Sequence, residues 1–464
     1  MMSHPSFWFN QALEQNEAFV QPALNADINS DICIVGGGYT GLWTAIKIKQ
    51  RSPETQVCII EKGVCGQGAS GRNGGCMLTF ATKFNTLKRL FGEQEASRLV
   101  IKSEQAVYDI RDFCLQHSID AEIRVDGAIY TATNQAQSKQ LLTPVKALQA
   151  HHINRWKTLS NQQVKHLSGS DKNIAGISTD AAGSLHPAKL VLGLKNVALN
   201  MGINIFEHSA MSELEQNVQP RVLTQNGSIR AKKVIMAINA WTGQHFKEFN
   251  KHYVLVSSDM LISKPQPELL KDIGLNHGKA IADSRLFVHY YRTTLDGRLM
   301  LGKGGNRFSY NNHMLAEFDQ PSQFEPMLKQ SFKAFFPSLK LDFEPSWNGA
   351  SDRSKTGLPF FGTFESNNNI LYGLGYSGNG VVQSYLGGDI LSSMALGLDN
   401  EWTNSGLTKG PLGQFPPEPI RFFGSQLVKN AIQRKERFED DNKSPLWLDK
   451  QLAKFAAAAG KADK

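Results

Sequence analysis

The stretch "DICIVGGGYTGLWTAIKIKQ", residues 31–50, decides how the chain folds. An apolar run ending at Val35 meets three successive glycines. Leu42, Ala45 and Ile46 then recur at helical spacing until Pro53 stops the helix. The string Gly36-x-Gly38-x-x-Gly41 is weak by itself. It gains meaning from the strand before it, the helix after it, and the acid Glu61, which closes the next strand, "QVCIIEKG", twenty residues beyond Gly41. Gly36 permits a tight turn, Gly38 lets backbone approach a pyrophosphate at the positive end of the helix, and Gly41 lets helix and strand pack closely. Glu61 is placed to accept hydrogen bonds from a ribose diol, an arrangement compatible with NAD and FAD alike.

Just downstream, "GASGRNGG", residues 68–75, holds four glycines in eight positions. Each would cost ~0.5–1 kcal/mol relative to alanine inside a helix or strand. The segment therefore reads as a loop shaped around something, with Arg72 and Asn73 as donors to the second half of an extended dinucleotide. Further out, residues 77–174 read mostly as helix, with a strand near "GAIYTAT". A helix follows Pro187, "TQNGS" signals a hairpin, "KKVIMAINAWTG" is a buried strand, and "RLFVHYYRTTLDGRLMLGKGG" alternates as strands do. "NILYGLGYSGNGVVQSYLGGDILSSMALG" reads strand, loop, helix.

Composition excludes several classes. The 464 residues allow two or three domains, and a 41% apolar content is globular. No run of about 18 apolar residues suggests a membrane span, and no secretion signal is expected. Five cysteines, none in a CxxC pair, argue against a zinc site or a disulfide frame and for a reducing, cytoplasmic setting. The net charge of +8 does not accompany any nucleic-acid-binding motif. Residues 403–464 carry 11 Lys and Arg against 7 Asp and Glu, and the remaining positive charge is spread thinly, which fits either a solvated surface or a preference for an anionic substrate.

Taken in order, the strand–GGGYTG–helix unit, "IIEKG", "GASGRNGG", "SLHPAKLVLGL", "VIMAINAWTG", "YYRTTLDGRLMLGKGG" and "YGLGYSGNGV" resemble the D-amino-acid-oxidase-like FAD family over roughly residues 27–400. That family includes glycine, sarcosine and γ-glutamylputrescine oxidases. "SFWFNQAL", "GASGRNGGCMLTFATKF", "SDRSKTGLPFFG" and the tail "FPPEPIRFFGSQLVKNAIQRKE" are more similar to its aminophosphonate oxidoreductase subgroup. The resemblance implies an α/β protein with a Rossmann-like FAD-binding domain and an α+β substrate domain built on a mixed antiparallel sheet. The boundaries expected are an N-terminal arm at 1–26, an FAD-binding domain from 27–76, 175–245 and 341–402, a substrate domain from 77–174 and 246–340, and a basic helical tail at 403–464. It further implies FAD contacts at Gly36, Gly38, Tyr39, Thr40 and Gly41, at Glu61 and Lys62, and at Gly68, Ala69, Ser70, Arg72, Asn73, Gly74 and Gly75. In the last loop it implies Gly375, Gly378, Asn379, Gly380 and Val381, whose backbone N–H groups would face the flavin. Some relatives carry a flavin-linking His where this chain has Ala69, Ser70 and Gly71, so non-covalent FAD is expected. Cys65 and Cys76 beside the loop read as buried core thiols.

The same resemblance implies oxidation at a carbon next to nitrogen, with electrons passed to oxygen or another acceptor, and it requires no nucleophile and no metal. Glycine- and sarcosine-type relatives grip an α-carboxylate with arginines at positions that here are Ser351 and Gly378. Arg353 and Arg285 therefore become the candidate anchors for an anionic amine, with His289, Tyr291 and Lys303 beside them. Strand alternation puts His289 and Tyr291 on one face and Tyr290 and Arg292 on the other, so one pair alone should reach the cofactor. His186, ahead of Pro187, reads as the start of a helix. The favoured substrate is 2-aminoethylphosphonate or an N-alkylated form. The alternatives are a γ-glutamylputrescine- or polyamine-type oxidase, a glycine- or sarcosine-type oxidase, and an FAD amine dehydrogenase touching a membrane through its tail.

Overall fold

In the computed structural model, which describes residues 6–15, 20–456, 460, 462 and 463, the opening stretch forms the centre of a parallel sheet. Strand Asp27–Val35 lies between Val57–Ile60 and Ser228–Met236, parallel to both. Asn204–Phe206 extends one side and Asn367–Leu374 the other, again parallel, and Phe360–Phe364 closes that edge antiparallel. Ile32, Ile34 and Ile59 point into one core with Leu42, Trp43 and Ile46, while Cys33, Val35, Cys58 and Ile60 point into another with Phe249 and Tyr372. Burial on both faces explains why "ICIV" and "VCII" show no polar alternation.

Helices Tyr39–Arg51 and Gly380–Ala395 cover the first of these faces. They approach closely because Gly388 has no side chain: a Cβ there would lie 2.8 Å from Trp43 Cβ. Lys47 and Arg51 both pair with Asp389, at 2.7 and 2.6 Å.

A second sheet of eight strands runs in the order 347–354, 253–262, 299–308, 289–293, 280–283, 128–132, 175–179 and 157–159. Every neighbouring pair is antiparallel except Ala280–Asp283 with Ala128–Ala132. It is the expected mixed antiparallel sheet, but Ala175–Thr179 and Trp347–Ser354 belong to it. Its strands thus reach into two of the three ranges expected for the nucleotide-binding part, 175–245 and 341–402.

The described parts of the terminal segments are integrated rather than peripheral. Helix Phe7–Gln15 buries Trp8 and Phe9. Ser6 Oγ donates to Gly71 O at 2.7 Å, so this helix braces the "GASGRNGG" loop from behind. Helix Ile420–Asp440 packs Ile432 and Val428 against Leu286, Phe287 and Phe308 of the second-sheet side. Helix Trp447–Lys454 packs on it in turn, pinned by Arg434 and Asp449 at 2.7 Å.

Candidate functional site

A cavity of about 540 Å³, within the range of small-molecule sites, opens at the carboxyl ends of the parallel strands and extends under the second sheet. Val35, Ile60, Ala237 and Ile238 line it where the strands end. Gly36 makes the turn at φ +113°, where a Cβ would lie 2.5 Å from Ala237 O, and a Cβ on Gly41 would lie 2.0 Å from Gly36 O. Gly36, Gly38, Tyr39 and Thr40 line the cavity, whereas Gly41 lies behind it as the packing position.

Helix Tyr39–Arg51 starts at Gly38 without a side-chain cap and without an acid in its first turn. Ser70 Oγ accepts from Tyr39 N–H at 2.9 Å, linking the two glycine-rich loops. The Glu61 carboxylate accepts from Gly37 N–H at 2.8 Å and Gly63 N–H at 3.0 Å. Its burial raises its pKa against the pull of those two donors. Glu61 and the adjacent Lys62 both face the cavity.

Gly68, Ala69, Ser70, Arg72, Asn73 and Gly74 line the next part. Two expectations need correction here. Arg72 is engaged with the protein, donating to Gln67 O at 2.8 Å and Phe318 O at 2.5 Å and pairing with Asp319 at 2.6 Å. Asn73 donates to Ser70 O and accepts from Gly75 N–H, each at 2.8 Å. Both brace the loop. The glycines also make room for protein: a Cβ on Gly71 would strike Phe9, one on Gly74 the Tyr290 ring, and one on Gly75 would lie 2.1 Å from Leu185 O. Arg292 completes the brace by donating to Gly74 O at 2.6 Å and Leu185 O at 2.7 Å.

In the last loop Gly378, Gly380 and Val381 line the cavity, while Gly375 and Asn379 stand behind it. Gly375 N–H donates to the Asp352 carboxylate, and Ser377 N–H donates to Asp352 O at 3.2 Å. Burial pushes Asp352 up to about 7, opposed chiefly by the Gly375 bond. Helix Gly380–Ala395 also begins without a side-chain cap or a first-turn acid. Two positive helix ends therefore meet one cavity.

The far end is built by the second sheet. Residues 349–353 of strand Trp347–Ser354 all line the cavity, Ser351 and Arg353 among them. Arg353 is buried, and its burial lowers its pKa, opposed by the neighbouring Tyr290 and Asp352 side chains. Its guanidinium fits over Gly304, where a Cβ would lie 2.8 Å from Nη2. Tyr290 sits opposite Gly302 in register, and its hydroxyl is 3.1 Å from Ser258 Oγ.

The other four expected substrate residues lie elsewhere. Arg285 pairs with Asp440 at 2.6 Å and with Asp283 at 3.3 Å. His289 Nδ1 is 2.8 Å from Asp283, and burial, with the Lys303 charge, holds this histidine down at about 4. Tyr291 donates to Ser168 O at 2.9 Å, and Lys303 donates to Phe287 O at 3.0 Å. The alternation holds, but Tyr290, and not His289 or Tyr291, is on the face that meets the cavity. The signal was in the partner strand, where glycines at 302 and 304 leave room for large side chains on the cavity side, while Lys303 shares the outer face with His289.

His186 is structural, as expected. Its Nδ1 accepts from Lys189 N–H at 3.2 Å and its Nε2 lies 3.1 Å from Gln11 Oε1. Sequence reasoning missed Asn239, held at φ +47°, and Trp241 and His245, which all line the cavity. It also missed Tyr290, Ser258 and Asp352.

Residues 31–394 match the family model described as FAD dependent oxidoreductase. The chain is 26% identical over 400 residues to the gamma-glutamylputrescine oxidoreductase of Escherichia coli (strain K12), covering 86% of this chain and 90% of that one. It is 23% identical over 383 residues to the glycine oxidase of Bacillus licheniformis, covering 80% and 95%. Among solved structures it resembles glycine oxidase from Geobacillus kaustophilus at TM-score 0.69 and 18% identity, over 83% of this chain and all of that one. The residues fit such a cofactor: two helix ends with no capping side chain at the N-cap residue and no acid in the first turn suit a diphosphate and an electron-rich ring, and a buried acid follows the second strand.

Proposed function

The chain belongs to the FAD-dependent oxidoreductase family, and from that premise we propose that it oxidises the C–N bond of 2-aminoethylphosphonate or an N-alkylated form of it. The supporting observation is Arg353, a buried cation at the far end of the cavity, in a strand that carries Ser351 where carboxylate-binding relatives are expected to have arginine. A group with nearly two negative charges and three oxygens needs charge-assisted donors once water is excluded, and a planar guanidinium supplies two. FAD, when bound, supplies the two-electron acceptor for a hydride equivalent from the carbon next to nitrogen.

The chain's own residues then have defined tasks. Arg353 anchors the anion and fixes the distance from there to the amine. Tyr290, steadied by Ser258, narrows the same end of the cavity. The start of helix Gly380–Ala395, held by the Asp352–Gly375 contact, presents a positive end where negative charge builds during the reaction. The imine formed is released to water, giving phosphonoacetaldehyde and the free amine. Reoxidation by oxygen, giving peroxide, belongs to the same proposal. So does a cytoplasmic setting, on the strength of five free cysteines. FAD is held without a covalent bond, because the loop offers Ala69 and Ser70 and no histidine.

Anaerobic mixing tests this reading. An N-alkylated 2-aminoethylphosphonate should bleach the yellow flavin and release phosphonoacetaldehyde. Acid precipitation should leave the colour in the supernatant. Faster bleaching by sarcosine, glycine or γ-glutamylputrescine would overturn the substrate assignment, and colour in the pellet would overturn the non-covalent one.

A further inference from the structure

We propose that the C-terminal helix Trp447–Lys454 is a docking surface for an anionic lipid bilayer. At about 100° per residue, its ten-residue span to Ala456 divides into two faces. Asp449, Leu452, Ala453 and Ala456 turn inward, where Ala453 and Ala456 pack with Val428 and Ile432. Trp447, Leu448 and Phe455 turn outward with Lys450 and Lys454. The exposure is large for such side chains, 72% for Trp447 and 80% for Phe455. The helix has already met its packing needs inside the molecule, so the outer apolar face has no partner within the described residues.

Charge chooses the occupant. Asp449 is the only acid between Leu446 and Ala456, and it is buried and paired with Arg434 at 2.7 Å. The outward face therefore carries cations and apolar rings without a carboxylate. Trp, Leu and Phe flanked by lysines suit the boundary between headgroups and acyl chains, where the rings insert and the ammonium groups meet anionic lipid. A second copy of this chain would bring the same two lysines against each other. No helix among the described residues is long and apolar enough to cross a membrane, so the contact is a surface one. This inference does not depend on the substrate assignment.

Sedimentation of the FAD-loaded protein with large unilamellar vesicles tests it. Binding is expected to vesicles of phosphatidylglycerol mixed with phosphatidylcholine and to be much weaker to phosphatidylcholine alone. The double substitution Trp447→Ser, Phe455→Ser should raise the lipid concentration for half-binding at least about ten-fold. Lys450→Gln with Lys454→Gln should weaken binding and flatten its salt dependence. Flavin absorbance and melting temperature should be unchanged in both, since these side chains are exposed. Failure of the wild-type protein to sediment with anionic vesicles would overturn the proposal, as would equal binding by the Trp447/Phe455 variant. A dimer in analytical ultracentrifugation that this variant dissociates, without vesicle binding by the wild type, would assign the face to self-association instead.

Discussion

Tyr290 reaches the cavity because the residue opposite it lacks a methyl group. A Cβ on Gly302 would lie 2.2 Å from the tyrosine ring, so Gly302→Ala must displace the ring or the strand. Overpacking of this kind costs about 1–3 kcal/mol, and the denaturation midpoint should fall accordingly; an unchanged midpoint would show that the ring moves freely. His186 gives a pH signature. Burial first, and the Arg292 charge second, hold it at about 3, below its ordinary 6.5. The unfolded chain therefore binds this proton more readily, and stability present above pH 6.5 is lost as pH falls toward 3. His186→Asn keeps a helix cap without the titration. It should flatten the slope of stability against pH between 6.5 and 4, and an identical slope would place the acid sensitivity elsewhere, with His289 the next candidate.

At the scale of elements, the first helix works on the cofactor loop from a distance. Trp8 is fully buried, lies edge-on to Trp347 and His186, and has Arg292 4.8 Å above its ring. Trp8→Ala should cost about 3–5 kcal/mol and lower FAD retention, because Arg292 also holds Gly74. Retained FAD at wild-type levels would separate the helix from the loop. The strand–glycine–helix unit was legible in the sequence because spacing, apolar run and acid all reported one local geometry. The loop's purpose was only half legible. Glycine marks close approach without naming what approaches, and here Phe9, Tyr290 and a carbonyl fill the places expected for a cofactor. The face of His289–Thr293 was illegible from that strand alone, since alternation fixes the period and not the side. Its neighbour's glycines carried that information.

On the scale of the whole molecule, the cavity exists only where two sheets meet, so residues far apart in sequence share it. Arg285 and Arg353 read alike as letters, yet one clasps helix Ile420–Asp440 and the other enters the cavity. Arg285→Met leaves the buried Asp283 carboxylate without this partner and should cost about 3–5 kcal/mol of stability while the KM for substrate stays within about two-fold of wild type. A selective rise in KM would return Arg285 to the substrate site. Arg353 is the opposite case and carries the central claim. The most direct measurement is kcat/KM of wild type and Arg353→Ala on an N-alkylated 2-aminoethylphosphonate and on an amine of the same length without the phosphonate. Loss of one charge-assisted contact of about 1.5–3 kcal/mol predicts a roughly 10- to 150-fold fall for the phosphonate alone. FAD content should be unchanged and Arg353→Lys only partly restorative. Equal proportional losses on both amines, or flavin lost from the variant, would contradict it.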